Sequence, residues 1–350
     1  MTDSVGAQRY ALFARFHCGT DLDLAETYEW GWAELADVAA RLQVCAQRLY
    51  PGLTPQQARR ELERDPERAP LPQETTVQLL QALTDDTVAL LDGTCFDIPS
   101  ALRSCEVRVA PPGGPMVPYY TPPSEDLLRP GVGWLPSGAL MLPPWWLRAL
   151  WFHETVPGHH LQYGIALLQQ RLSRFQRVES VTAHGEGWAV YAERLMDELG
   201  GYGDPAVELG YLSGRALRVA RVVLDIGLHL NRVVPDAVPA WVRAGMTEDP
   251  RGQQWSVSLA TDFLATVAGL APVIAKREVL RYLGSPGQAL AYAVGERAWL
   301  EAREAARAYA GDGFDLKAWH MRMLGLGPVP LTVLAQPPDE AKALTRALEP

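Results

Sequence analysis

Nowhere in the 350 residues do five Lys or Arg stand together, and the formal net charge is −9. A surface that tracks phosphates needs clustered cations, so nucleic acid is not an expected partner. Long apolar runs are missing as well. The most apolar stretch, ALMLPPWWLRALWF, is too short to span a bilayer and carries Pro143, Pro144 and Arg148, so no membrane partner is expected. The opening MTDSVGAQRYALFARF lacks a basic segment leading into an apolar run and a small-residue cleavage site. These absences lead to the expectation of a cytoplasmic protein. Cysteine is scarce, and Cys18, Cys45, Cys95 and Cys105 show no CxxC spacing, which excludes a cysteine zinc site and leaves buried free thiols. Internal repeats and low-complexity tails are also lacking.

What is present is an ordinary globular composition, 48% hydrophobic and 21% charged. Residues 22–48 carry Leu22, Leu24, Trp30, Leu35, Val38, Leu42 and Val44 at three- and four-residue spacings, which predicts an amphipathic helix. TPQQARRELERD and PQETTVQLLQALTDDTVALLDG open with helix-start residues, and the second closes at Gly93. SCEVRVAPPGG alternates as a half-buried strand does, and GALMLPP offers a second strand. The Pro- and Gly-rich stretch between them predicts an irregular functional loop, where Tyr119 and Tyr120 either line a pocket or pack the loop down. From residue 145 onward long runs of helix formers return. The expectation is a mainly α protein with a small β-sheet, a single domain over 1–350. It divides into an N-terminal helical layer (1–100), a small sheet with a Pro-rich loop (101–145) and a helical catalytic core (146–350).

Chemistry concentrates in FHETVPGHH, which places three of the seven histidines within eight residues. A zinc-hydrolase helix carries His-Glu followed by a second His at i+4, so that both imidazoles face one ion. Here i+4 from His153 is Pro157, and the next histidines are His159 and His160. In an undistorted helix neither can join His153, because i+6 climbs about 9 Å to the far side and i+7 climbs about 10.5 Å. Pro157 has no N–H for the His153 carbonyl and its ring clashes there, while Gly158 tolerates an unusual backbone conformation beside it. Two residues absorbed as a bulge would bring His159 to the usual i+4 place, and His160 would then face elsewhere, either supporting the ligands from behind or contacting substrate. A third ligand is expected from a later carboxylate, with Glu186 of AHGEGWAVYAERL first and Glu179 and His184 as rivals. Glu193, seven residues on, is expected to orient a ligating imidazole. His320 beside Trp319 reads as a structural core group.

FHETVPGHHLQ, EGWAVYAERLMDELG, DIGLH, RYLGSPGQALAYAVG and FDLKAWHMRMLGLGPVPL, in this order, resemble the bacterial domain-of-unknown-function family 885 from about Leu22 to Leu334. The resemblance implies a zincin-like, largely helical fold similar to oligopeptidases, carboxypeptidase Taq and dipeptidyl peptidase III. It also implies His159 rather than His160 as ligand, Glu154 as general base, Glu186 as third ligand, and Tyr292 as an oxyanion donor. Arg281, Gln288 and His229 in the later motifs are candidate substrate contacts, alongside His160 and Tyr120. Members of that family are usually much longer and many carry an export signal, so the expectation here is a shortened member without one.

The functional expectation is a hydrolase of peptide or amide bonds using one Zn²⁺, or another divalent ion, held by His153, His159 and Glu186. Glu154 and Tyr292 would be the catalytic side chains, acting on a small-molecule or peptide-like substrate. Two alternatives stand beside it. One is a metal-dependent biosynthetic enzyme that cyclises, transfers or eliminates on a peptide-like or acyl substrate; the other is a helical binding protein without catalysis.

Overall fold

Asp23 accepts hydrogen bonds from the Ala25 and Glu26 amides, 3.0 and 3.1 Å, satisfying donors that a helix start leaves unpaired. The helix so begun, Leu24–Leu49, buries Trp32, Leu35, Val38, Leu42 and Ala46 along one stripe. In the computed structural model, which describes residues 4–137 and 142–335, this stripe packs on the helix Pro205–His229. That helix presents buried Leu212, Val219, Val222 and Val223, so the pair shares one apolar seam. The expected helix at TPQQARRELERD is Pro55–Arg64, started by a reciprocal capping box between Thr54 and Gln57. The chain divides into two compact units, each built from two stretches: Met1–Ala69 with Tyr202–Val294, and Pro70–Gly201 with Gly295–Pro350. The first unit holds the helix pair just described.

The second unit contains the sheet. Strands β1 (Cys105–Val109), β2 (Tyr119–Thr121) and β3 (Gly131–Leu135) lie in the order β1-β3-β2, β1 parallel and β2 antiparallel to β3. β1 alternates as expected, with Cys105 and Val107 buried and Arg108 exposed. The strand expected over 138–144 falls largely on residues 138–141, outside the described ones. β2 and β3 lie within the stretch expected to be an irregular loop, and that expectation is corrected by the sheet register Tyr120↔Gly133. Glycines at 131 and 133 hid the alternation. Their missing side chains face the helix Pro144–Glu154 and the residues after it. A Cβ on Gly133 would stand 2.8 Å from both Trp151 and Thr155, and one on Gly131 would stand 2.6 Å from His160 Nδ1.

The helix Gln73–Leu91 covers the sheet and satisfies its edge. The Gln81 amide donates to Cys105 O (3.1 Å) and accepts from Val107 N–H (3.0 Å), taking the place of a further strand beside β1. Leu80, Val107, Leu135, Leu147 and Trp151 form a shared apolar core, and Trp151 Nε1–H reaches Thr84 Oγ1 at 2.9 Å. The sheet thus serves as a platform for the helix that ends in His153 and Glu154. All four cysteines are buried and free.

Candidate metal centre

The helix Pro144–Glu154 stops at the point where its hydrogen bonding fails. Thr155 N–H still reaches Trp151 O at 2.9 Å, but Pro157 has no N–H to offer His153. The chain turns, with a cis Val156–Pro157 peptide, and a new helix, His159–Leu167, starts two residues later. Gly158 N–H bonds Phe152 O (3.0 Å) and His160 N–H bonds Thr155 O (3.1 Å). The motif is therefore two helices joined by a tight turn, where the sequence led to a bulge inside one. Only glycine fits position 158, since a Cβ would overlap the His153 carbonyl. The turn's carbonyls are held from the next long helix, Thr182–Glu198. Trp188 Nε1–H points at both Pro157 O (3.0 Å) and Gly158 O (3.2 Å).

This turn brings His153, His159 and Glu186 together, with one donor atom from each lying within 4.8 Å of the others. Glu186 Oε2 is 3.2 Å from His153 Nε2 and 3.8 Å from His159 Nε2. Ligands about 2.0–2.1 Å from one tetrahedral ion are separated by roughly 3.3 Å, so the donor set fits a single small cation. Glu193, fully buried, meets His153 Nδ1 at 2.8 Å. As an acceptor it keeps the proton on Nδ1 and turns Nε2 toward Glu186. Glu154, the last residue of its helix, is buried beside His153.

The two imidazoles sit in different electrostatic surroundings. Burial works against charge on His153, yet hydrogen bonds to Glu186 and Glu193 outweigh it and raise its pKa to about 9. Burial and the neighbouring His153 charge push His159 down to about 4. Two carboxylates thus hold one positive charge between them, and a divalent ion can take the place of that proton.

His160 is fully buried with both ring nitrogens engaged: Nε2–H donates to Leu102 O and Nδ1 accepts from Tyr120 O–H, each at 2.8 Å. Burial lowers its pKa to about 4. Tyr120 stacks on Tyr163 (6.3 Å between ring centres), which stacks on the His159 ring (5.3 Å), so the plane of that imidazole is fixed from one side. His184 and Glu179 stand outside the trio. Sequence reasoning passed over Gln162 and Tyr163, while Trp188 was expected to pack against the motif segment and does so through its Nε1–H. The i+3 and i+4 spacing of Gln162 and Tyr163 from His159 was a usable signal, but only once a helix start at His159 was known.

The family model described as bacterial protein of unknown function, DUF885, matches residues 1–337. The chain belongs to DUF885. Among solved structures, this DUF885 chain is similar to one from Colwellia psychrerythraea, at 26% identity and a TM-score of 0.81, covering 99% of this chain and 57% of that one. One from Shewanella oneidensis is similar at 20% identity and a TM-score of 0.76, covering 96% and 60%. Both are described as a "putative lipoprotein", the second "of unknown function". The chain thus spans less than two thirds of the length of these structures. No curated protein matches it. No helix among the described residues is long and apolar enough to cross a membrane.

The remaining candidates of this DUF885 chain lie in the first unit. Arg221 sits over the Tyr292 ring at 4.5 Å and bonds Glu278 at 2.8 Å. Arg281 binds Glu278 and Gln288. His229, fully buried, meets Tyr282 O through Nε2 at 3.1 Å. His320, in the second unit, is a core group as expected, bonded to Cys95 O (2.9 Å) and Tyr191 O–H (2.7 Å).

Proposed function

We propose that this protein is a mononuclear zinc hydrolase of zincin-like fold, acting on a peptide or amide bond. The observation that carries the reading is the convergence of His153, His159 and Glu186, with Glu193 behind His153 and Glu154 beside it. His153, His159 and Glu186 would hold the metal, and Zn²⁺ suits this His₂Glu set, although another divalent ion can satisfy the same donors. When bound, such an ion supplies Lewis acidity and makes a water molecule acidic near neutral pH.

The chain's own residues do the rest. Glu193 keeps the His153 proton on Nδ1 and so leaves Nε2 to the ion. Glu154 accepts the proton of the attacking water at its carboxylate and returns it to the leaving amine. Tyr292 is the proposed oxyanion donor, and Arg281 and Gln288 the proposed substrate contacts, on the family resemblance alone, whereas His229 is withdrawn from that role because it is fully buried and bonded to Tyr282 O. Tyr120 and His160 are reassigned to holding the ligand face, because their hydrogen bonds are made to each other and to Leu102.

The test has two parts. Elemental analysis of purified protein should give about one zinc per chain. Glu154→Gln should keep that zinc while lowering turnover of a peptide library by about 10²–10⁴-fold. Absence of metal from the parent protein overturns the reading. Zinc without any peptide hydrolysis, but with a Glu154-dependent reaction on an acyl or peptide-like metabolite, moves the assignment to a biosynthetic metal enzyme.

A further inference from the structure

Two ring nitrogens of His159 have to be told apart for Nε2 to serve a cation, and the carboxylate behind the other imidazole, Glu193, bonds His153 instead. We propose that Gln162 is the positioning residue that distinguishes them, with its own amide oriented by His184. The proposal rests on the metal reading of this site.

Hydrogen-bond polarity fixes the direction of each contact. Gln162 Nε2 lies 3.1 Å from His184 Nδ1 and 3.4 Å from His184 O. A backbone carbonyl can only accept, so the Gln162 nitrogen must face His184 and its oxygen must face the other way. That oxygen, Oε1, lies 3.3 Å from His159 Nδ1. An amide oxygen only accepts as well, so Nδ1 carries the proton and Nε2 keeps its lone pair toward Glu186, 3.8 Å away. The chain of bonds also fixes His184: its Nδ1 accepts from Gln162, so the ring's proton is on Nε2. That atom is buried and meets no hydrogen-bond partner among the described residues. An unmet buried donor costs stability. His184 is held in place by Trp299, whose Nε1–H donates to His184 O at 3.1 Å and whose ring lies 5.1 Å from the imidazole.

The relay is neutral where the Glu193 contact is anionic. His153 is therefore the strongly held ligand and His159 the weaker one, its basicity raised by an amide rather than by a carboxylate.

The experiment compares metal-stripped parent, Gln162→Met and Gln162→Glu by Zn²⁺ titration against a competing chelator, with thermal unfolding of each metal-free protein alongside. Gln162→Met keeps the volume and removes the acceptor, and should bind zinc about 10–100-fold more weakly. Gln162→Glu restores an oxygen for His159 Nδ1–H and should lie closer to the parent than to the Met variant. A role in packing alone would move the unfolding temperature and leave zinc affinity unchanged, or penalise Glu at least as much as Met, and either result overturns the proposal. If Gln162→Met does not fold, His184→Leu is the second arm. It removes the 3.1 Å side-chain contact and leaves the Gln162 amide only the longer one to the backbone carbonyl, and it should weaken zinc and alter the visible spectrum of the Co²⁺-loaded protein. An unchanged affinity and spectrum in His184→Leu would count against the relay. A parent protein that binds no zinc defeats the metal reading itself, which separates that failure from this one.

Discussion

At the scale of single residues, the candidate centre is shaped by the groups that stand behind His153 and His159 as well as by those residues and Glu186. Glu193 is the sharpest case, since it is fully buried and meets His153 Nδ1 at 2.8 Å. Glu193→Gln keeps the shape and loses the charge, so zinc affinity should fall about 10–100-fold by chelator competition, with the helix content unchanged. Gly131 works in the opposite way, through what it lacks. Its missing Cβ leaves the space in which Tyr120 O–H reaches His160 Nδ1, and an added methyl would stand 2.6 Å from that nitrogen. Gly131→Ala should therefore destabilise the protein by about 1–3 kcal/mol in urea titration, as overpacking of a closed site does. A substitution with no effect there would mean that the Tyr120–His160 contact is not formed in solution.

At the scale of elements, the decisive feature is a helix that ends so that a second can begin soon after. The break between Glu154 and His159 converts an unusable i+6 spacing into a pair of neighbouring imidazoles, nearly perpendicular and 5.0 Å apart between ring centres. Trp188 fastens that turn to the helix carrying Glu186, so Glu186 and the turn are tied to each other. Trp188→Phe retains an aromatic ring and deletes the N–H that serves two buried carbonyls, so it should cost about 1–3 kcal/mol in urea denaturation. It should also weaken zinc binding, because the Glu186 helix loses its tie to the turn. Much at this scale could be read in advance. The Leu24–Leu49 helix, the Thr54 capping box and the alternation of β1 all reflect spacing and end residues. β2 and β3 could not be read in that way, since Gly131 and Gly133 erase the period-two pattern and Pro-rich flanks resemble a loop.

At the scale of the whole molecule, pH acts through buried histidines. His320 is packed against Phe96 at 4.6 Å and burial lowers its pKa to about 4. Its folded value lies below the unfolded value of about 6.5, so between these two the unfolded chain binds the extra proton. Stability from this group is full above pH 6.5 and is lost as pH falls toward 4, with a slope of about 1.4 kcal/mol per pH unit. The metal-free protein should accordingly unfold at lower urea concentration across that window. His320→Gln, less stable at neutral pH through loss of its two bonds, should show a shallower pH dependence by about one proton. An identical slope in the two proteins would mean that His320 is not held neutral in the folded state.

The sequence alone determined the helical class, the position of β1, the residue types of the candidate metal site and the break that Pro157 imposes on its helix. These are local matters, decided by spacing, capping and the absence of an N–H, and they act within a few residues. Only the tertiary structure decided that His153, His159 and Glu186 meet, that Glu193 and Gln162 stand behind the two imidazoles, and that His160 turns instead to Tyr120 and Leu102. Those outcomes depend on which helix faces cross and which glycines let them approach, and no pattern along one segment records the shape of another.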